Sequence, residues 1–326
     1  MLKNSNHWIL RSDVVILSDE DQVKLITENG IKIIKSHNPD VVKLLHLLST
    51  KGVVFEFDNE PQKNLLRRLK DANLIHAAPP CGTTPLQTMH WLWNEAVAPN
   101  QDVSQRLKNS SIVIVGCGGT GSLIAQSLAG SGVGSFTLID FDKVSQSNLN
   151  RQFVFSARDI GQYKADILAK RLIENQIVLD AKPIIAEITS SGQLAKLAKG
   201  ADLIICCADE PKGAIQNYVA NAALKAVTSA LFGAVGVSNG IIGPLLKDSS
   251  SFAAYLSWIR EVRRACEKII VPARFPSNGI TNSIIANLIA WEAFQHLAKT
   301  GPSKTESCIL NLDFKTFALT KKQEFK

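Results

Sequence analysis

Between positions 140 and 209 the chain carries six polar residues that could handle a phosphorylated ligand: Asp140, Asn148, Arg151, Gln152, Lys164 and Asp209. Asp140 can accept hydrogen bonds from a ribose. Arg151 and Lys164 offer positive charge to phosphate oxygens. Asp209 can hold Mg2+, a hard cation that takes carboxylate and phosphate oxygens together. Just upstream, SIVIVGCGGTG over 111–121 runs an apolar segment into glycines at 116, 118 and 121, and a helical pattern follows to Ser131. Strand, tight turn and helix set backbone N–H groups and a helix N-terminus against a phosphate. The GxGxxG spacing alone is weak. It gains from Asp140, which ends the next strand pattern 24 residues after Gly116, where such folds place a ribose-binding acid. A nicotinamide-dependent oxidoreductase has no need of the Arg/Lys set, so the residues are equipment for chemistry at a nucleoside triphosphate.

These groups need a sheet to hold them. From Ser110 strands are expected at Ser111–Val115, Phe136–Ile139, Lys182–Ile188, Asp202–Cys207 and Val227–Leu231. Helices are expected at Gly119–Ser131, Tyr163–Asn175, Ser191–Ala198 and Pro211–Leu224. The alternation predicts an α/β fold, a Rossmann-like, mostly parallel sheet with helices on both faces. Ligands of such sheets bind beyond the carboxyl ends of the strands, and Gly116, Asp140, Asp209 and the segment after Leu231 fall there. A strand at Gly236–Leu246 precedes a polar stretch, Lys247–Gly279, read as an insertion. Following the carboxyl-end side of the sheet, it could fold over a bound nucleotide, and it is rich in Arg260, Arg263, Arg264, Lys268 and Arg274. An apolar helix at Ile280–Leu297 and strands at Ser307–Phe314 and Phe317–Thr320 close the chain.

Residues 1–77 read as a separate small domain of winged-helix type. Its strands are Trp8–Leu17, Gln22–Thr27, Gly30–Ile34, Gly52–Phe57 and Leu74–Ala77, and its helices Pro39–Ser49 and Gln62–Asp71. Such a shape can bind DNA, but only Arg67, Arg68 and Lys70 cluster, as a solvated face does, so no nucleic-acid partner is expected. A peptide added along a strand edge is the other use of such a surface. Ala78–Pro85 is a linker by its prolines and glycine, and Leu86–Leu107 reads as helical, broken at Pro99 and anchored by Trp91 and Trp93. The expected division is 1–77, then 78–109 as linker and helices, then 110–326 with the insertion 247–279.

The 326 residues are 45% hydrophobic and 20% charged, which suits a globular chain of about two domains. A net charge of +7 is modest and fits an anionic ligand. No apolar run is long enough for a membrane span, and the N-terminus lacks the apolar core of a signal peptide. Six scattered cysteines, at 81, 117, 206, 207, 266 and 308, read as reduced thiols of a cytoplasmic protein.

Five motifs in order carry a family resemblance: GCGGTG with Gly116, Gly118, Gly119 and Gly121; Asp140-Phe141-Asp142; Asn148-Leu149-Asn150-Arg151-Gln152; Gly161 with Lys164; and Ala208-Asp209. Together they resemble the ubiquitin-activating-type ATP-dependent adenylating enzymes, a family that includes the molybdopterin and thiamine sulfur-carrier activators. The resemblance implies that the glycine turn, Asp140, Asp142 and Gln152 bind ATP. It places Asn148, Arg151 and Lys164 at the phosphates and Asp209 at Mg2+. It implies a homodimer packed through the α/β domains. The family's two CxxC zinc pairs have no counterpart here, so no zinc is expected. Nor does any cysteine sit as a clear thioester nucleophile. Where the family tends to place an arginine, the chain reads Gln87-Thr88-Met89-His90.

With a winged front domain, the plan looks most like the family's peptide-modifying branch, which makes ribosomal natural products, and within it the pantocin type. There the front domain resembles a leader-peptide recognition element, and glutamates of a precursor peptide are activated and cyclised. Arg260, Arg263 and Arg264 would then meet an acidic core peptide. Two alternatives stay open: a microcin-type enzyme that conjugates AMP to a peptide, and a non-catalytic partner that delivers a leader peptide.

Overall fold

The computed structural model describes residues 7–11, 14–19, 22–27, 30–35, 39–50, 53–54, 60–72, 74–77, 103–174, 180–211, 213–266 and 277–326. Its contacts divide the chain into two compact units, Met1–Gln101 and Asp102–Lys326.

The first unit runs β1 (His7–Leu10), β2 (Val15–Ser18), β3 (Gln22–Thr27), β4 (Gly30–Lys35), α1 (Pro39–Thr50), β5 (Val53–Val54), α2 (Glu60–Asp71) and β6 (Ile75–Ala77). Two small antiparallel sheets result, β5-β1-β6 and β2-β3-β4. Leucines at helical spacing form the core. Leu44, Leu45 and Leu48 of α1 and Leu65, Leu66 and Leu69 of α2 are buried with Leu10, Val23 and Leu25. Trp8–Leu17, expected as one strand, is two strands in different sheets. The chain turns between them, where the Val14 N–H donates to the Arg11 carbonyl and the Arg11 N–H to that of Leu74.

In the second unit the elements are α3 (Val103–Asn109), β7 (Ser111–Val115), α4 (Gly119–Gly130), β8 (Ser135–Ile139), α5 (Lys164–Glu174), β9 (Asp180–Ile184), α6 (Ser191–Leu197), β10 (Leu203–Cys206), α7 (Ile215–Ala226), β11 (Ser229–Val235), β12 (Asn239–Leu246), α8 (Ser249–Cys266), α9 (Gly279–Ala298), β13 (Cys308–Asp313) and β14 (Leu319–Glu324). They build one eight-stranded sheet, β14-β13-β12-β11-β10-β7-β8-β9. From β11 to β9 the pairings are parallel; from β11 to β14 they are antiparallel. The chain steps outward from β7 through β8 to β9, then returns to lay β10 on the other side of β7. That reversal opens a crevice at the carboxyl ends of β7 and β10, the place where such sheets take ligands.

Helices cover both faces of this Rossmann-like sheet. Val113, Val115, Ile204, Cys206, Ala230 and Phe232 share one buried cluster with residues of α6, α7 and α8. Side chains one position along each strand point the other way, towards α4 and α9, which pack on each other. Gly233 of β11 and Gly240 of β12 mark where α9 lies on the sheet, since a Cβ on either would overlap the Cδ1 of Ile289 or of Ile285. β9 carries Pro183, which an edge strand tolerates, and it ends at Ile184 rather than at the expected Ile188.

The stretch 247–279 corrects an expectation. Over residues 249–266 it is no polar insertion but α8, which leaves the end of β12 where Leu246 pairs with Ala230, the beginning of β11. The helix therefore starts beside the amino end of β11, not on the carboxyl-end side. Phe252, Tyr255 and Ile259 recur at helical spacing and are buried against Phe232 and Phe325. Burying each such side chain stabilises by about 1.5–3 kcal/mol, which makes α8 part of the core. Lys268 and Arg274, the Ala78–Pro85 linker, and the expected helix up to position 102 lie outside the described residues.

Candidate functional site

β7 delivers the chain to Gly116, whose φ of +94° favours glycine. A Cβ there would stand 2.8 Å from the Ala208 nitrogen, so the turn passes directly against the end of β10. Gly121 is stricter still, because its Cβ would overlap the Gly116 carbonyl oxygen. The third glycine thus packs on the first. Gly118 is the N-cap of α4 and brings no side chain to it. The first-turn N–H groups of α4 have no side-chain cap, the condition in which a helix N-terminus accepts an anion.

Asp140 ties this turn to the end of β8. Its Oδ2 accepts the Cys117 N–H at 2.7 Å and its Oδ1 accepts the Asp142 N–H at 2.8 Å. A carboxylate has about four acceptor positions, so capacity for a ribose remains. Burial pushes the Asp140 pKa up, while the Lys164 charge and the two amides pull it down, and the net direction is upward.

Lys164 opens α5 and is only 5% exposed. Its Nζ lies 2.7 Å from Asp142 Oδ2, and its N–H donates to the Asp142 carbonyl. Buried charges in folded proteins are paired, and Asp142 is the partner of this one. The approach to Lys164 is fixed in turn by Asp159. Its Oδ2 accepts the Ser156 N–H and hydroxyl and stands 2.5 Å from the Arg171 guanidinium.

The intervening turn presents the remaining polar groups. Asn148 is buried, and its Oδ1 accepts the Ser145 N–H at 3.0 Å, leaving its amide as the donor end. The Arg151 guanidinium donates to the Ser147 carbonyl and to Asn150 Oδ1, each at 2.9 Å. Gln152 is 3% exposed, and its Oε1 has no hydrogen-bond partner. Its Nε2 would be 3.6 Å from a Cβ on Gly118. The Oε1 oxygen is an acceptor and calls for a donor rather than a phosphate, whereas the Nε2 end, which faces Gly118, is a donor that a phosphate at the glycine turn could take. Cradle, uncapped helix, buried lysine and the Gln152 amide donor all fit a nucleotide.

Asp209 is exposed just past β10. Among the described residues no three His, Cys, Asp or Glu side chains gather as a metal-binding group. A cation on Asp209 would therefore complete its shell from phosphate and water, as Mg2+ does. Arg260, Arg263 and Arg264 are exposed on α8. Arg260 donates to the Leu256 carbonyl and lines a groove with Asn217, Asn221 and Leu224 of α7. That is the α7/α8 face of the sheet, whereas α9, on the other face, is the helix that touches the glycine turn.

The sequence reading passed over Asn282. It is buried in the first turn of α9, where its Oδ1 accepts the Thr120 hydroxyl at 3.2 Å. Nothing in the sequence set it apart, since the same helix also carries the amides Asn287 and Gln295.

Fold and turn together define a Rossmann-like α/β protein of the adenylating-enzyme type of sheet. More particularly, the chain belongs to the ThiF family, whose model matches residues 94–326. It is 39% identical over 108 residues to the molybdopterin-synthase adenylyltransferase of Escherichia coli K12, covering 33% of this chain and 43% of that protein. To the sulfur carrier protein adenylyltransferase of Thermus thermophilus it is 35% identical over 107 residues, 32% of this chain and 38% of that one. The chain thus spans about two fifths of the length of these curated relatives. In fold it is similar to Escherichia coli MccB solved with ATP, with TM-score 0.70 and 20% identity, covering 98% of this chain and 97% of that one. It is also similar to PaaA, with TM-score 0.72 and 18% identity over 96% and 99% of the two chains. MccB, named as a microcin C7 biosynthetic enzyme, has been solved in complex with N-formylated MccA.

Proposed function

We propose that the protein is an ATP-dependent adenylating enzyme that activates a carboxyl group of a ribosomally made precursor peptide, leading to cyclisation in natural-product biosynthesis. The observation that carries this is the buried Lys164–Asp142 pair set beside a glycine turn that Asp140 holds in place. Membership of the ThiF family and the adenylyltransferase relatives support it. The fold shared with MccB and PaaA supports a peptide as the substrate.

ATP is the co-substrate. A carboxylate oxygen of the peptide attacks the α-phosphorus, the bond to the bridging oxygen breaks, and pyrophosphate leaves. A nucleophile within the peptide then takes the acyl carbon and AMP departs. Phosphates would lie over the Gly116–Gly121 turn and the α4 N-terminus, with the ribose on Asp140. Asn148, Arg151, Gln152 and Lys164 would stabilise charge on the phosphoryl oxygens, which is what such positioned donors contribute. Asp142 pairs with Lys164 and holds it in place. Asp209 would hold Mg2+, which neutralises phosphate charge when bound. A groove of about 600 Å3 lined by Ile184, Ala186, Ser190, Gln193 and Lys196 begins on the strand beside Asp140 and is large enough for a base.

The front domain would hold the precursor's leader as an added strand. Glutamate as the activated residue rests on the family resemblance. The exposed Arg260, Arg263 and Arg264 of α8 would meet such an acidic peptide. The test is intact-mass analysis of a candidate precursor after incubation with enzyme, ATP and Mg2+. Loss of water is expected. Gain of AMP would point to peptide–AMP conjugation instead, and an unmodified peptide with no pyrophosphate released would sink the enzymatic reading.

A further inference from the structure

Three segments meet at the start of α9, and one side chain joins them. Asn282 Oδ1 accepts the Thr120 hydroxyl, and a Cβ on Gly119 would come within 2.6 Å of the same oxygen. The first turn of α4 therefore rests directly on this amide. The other end of Asn282 donates from Nδ2 to Ser277 Oγ at 2.8 Å and to the Asn278 carbonyl at 2.6 Å. The Asn278 side chain caps α9 by accepting the Thr281 N–H. The phosphate-side segment arrives at the same point. Asn150 Nδ2 donates to the Ser277 carbonyl at 3.0 Å, the Phe153 ring lies against Gly279, and the Arg151 carbonyl oxygen would be 3.4 Å from a Cβ on Gly119.

We propose that Asn282 is a positioning residue of the nucleotide site, one that sets the glycine turn and the Asn148–Gln152 segment in register through Thr120 and Ser277. The inference rests on the ATP reading above. Its physical basis is that a glycine turn is soft. Gly118 and Gly119 carry no side chains to pack, so the turn takes its shape from what it leans on. Asn282 is 4% exposed and has donors and acceptor all engaged, so it is a rigid support. It has no role in holding the ribose or base, which belong to the ends of β8 and β9.

That separation gives the test. Affinities of the full-length protein for Mg-ATP and for adenosine, which lacks phosphates, are measured by calorimetry for wild type, Asn282→Ala, Thr120→Val, Thr120→Ser and the Asn282→Ala/Thr120→Val double variant. Unfolding temperatures of the same samples are recorded without ligand. Asn282→Ala and Thr120→Val should each weaken ATP about tenfold and leave adenosine unchanged. The double variant should be no worse than the weaker single, because the two groups act as one unit. Thr120→Ser, which keeps the hydroxyl, should bind like wild type. ATP affinity unchanged in Thr120→Val, or equal loss of ATP and adenosine, overturns the positioning role. Should Asn282→Ala fail to fold, the Thr120→Val and Thr120→Ser pair decides alone. Wild-type protein that binds no ATP at all would instead overturn the reading beneath it.

Discussion

Lys164 and Arg151 are built differently. Lys164 is buried and paired with Asp142, whereas Arg151 is held over its own turn by the Ser147 carbonyl and Asn150. Each should matter to phosphoryl chemistry, where removing one such donor costs about 3 kcal/mol. Lys164→Ala and Arg151→Ala are expected to lower ATP-dependent pyrophosphate release at least 100-fold, with the circular dichroism spectrum unchanged. Near-normal release from either variant removes that residue from the mechanism. Asp140 makes a pH prediction. Burial, opposed by Lys164, holds its pKa above the usual carboxylate value. In the window between the unfolded and the folded pKa the native state binds more protons, so this group's contribution to stability falls as pH rises through that window. ATP affinity should run the opposite way, falling as acid protonates the ribose acceptor at a higher pH than an ordinary aspartate needs. In Asp140→Asn that acid limb of the affinity profile should disappear, and its persistence would assign the titration elsewhere.

At the scale of elements, the strand–turn–helix from Ser111 to Gly130 depends on glycines that cannot be replaced. Gly121→Ala drives a methyl into the Gly116 carbonyl, backbone against backbone, so nothing flexible can yield. Overpacking of this kind costs about 1–3 kcal/mol, and a drop of several degrees in unfolding temperature is expected together with loss of ATP binding. The opposite case ends α7. Val227 caps that helix at φ +55° and is 92% exposed. A β-branched side chain is strained in the left-handed region and has nothing to pack on there. Val227→Gly should therefore stabilise by about 1 kcal/mol, read as a rise of a few degrees in unfolding temperature. No rise would show that the strain is relieved locally.

For the whole molecule, the chain's contacts separate Met1–Gln101 from Asp102–Lys326, and each unit has its own buried core. Deleting residues 1–77 should weaken precursor binding by at least tenfold, measured by fluorescence anisotropy of a labelled peptide, and leave ATP affinity within twofold. Equal loss of both would mean that the front domain supports the nucleotide site rather than the leader. Assembly is a further expectation. A homodimer packed through the α/β domains should appear at twice 35.5 kDa by light scattering. A monomer at micromolar concentration would contradict it.

Local features were legible in the sequence because their causes are local. An apolar run, three glycines and a helical pattern follow one another within 20 residues, and β7 and α4 form there with almost the expected bounds. The spacing of leucines in the front domain likewise placed α1 and α2, since helical period is a property of neighbouring residues. Trp8–Leu17 shows the limit of that logic. Its apolar run favours a strand throughout, but only the pairing with β5, β6 and β3 breaks it in two. The same limit applies to α8. Three arginines and Glu261 among its residues read as a polar excursion, yet the spacing of Phe252, Tyr255 and Ile259 becomes decisive only when Phe232 and Phe325 are there to meet it. It applies most to the site. The polar residues from Asp140 to Asp209 share the carboxyl end of one sheet by topology, which alternating elements foretell. The contact of Asn282 with Thr120 spans 162 positions, and the placement of Arg260, Arg263 and Arg264 across the sheet turns on which face α8 covers. Propensity and period fix where helices and strands form. Which faces meet is decided by burial and close packing among residues far apart in the chain, and only the tertiary structure expresses that.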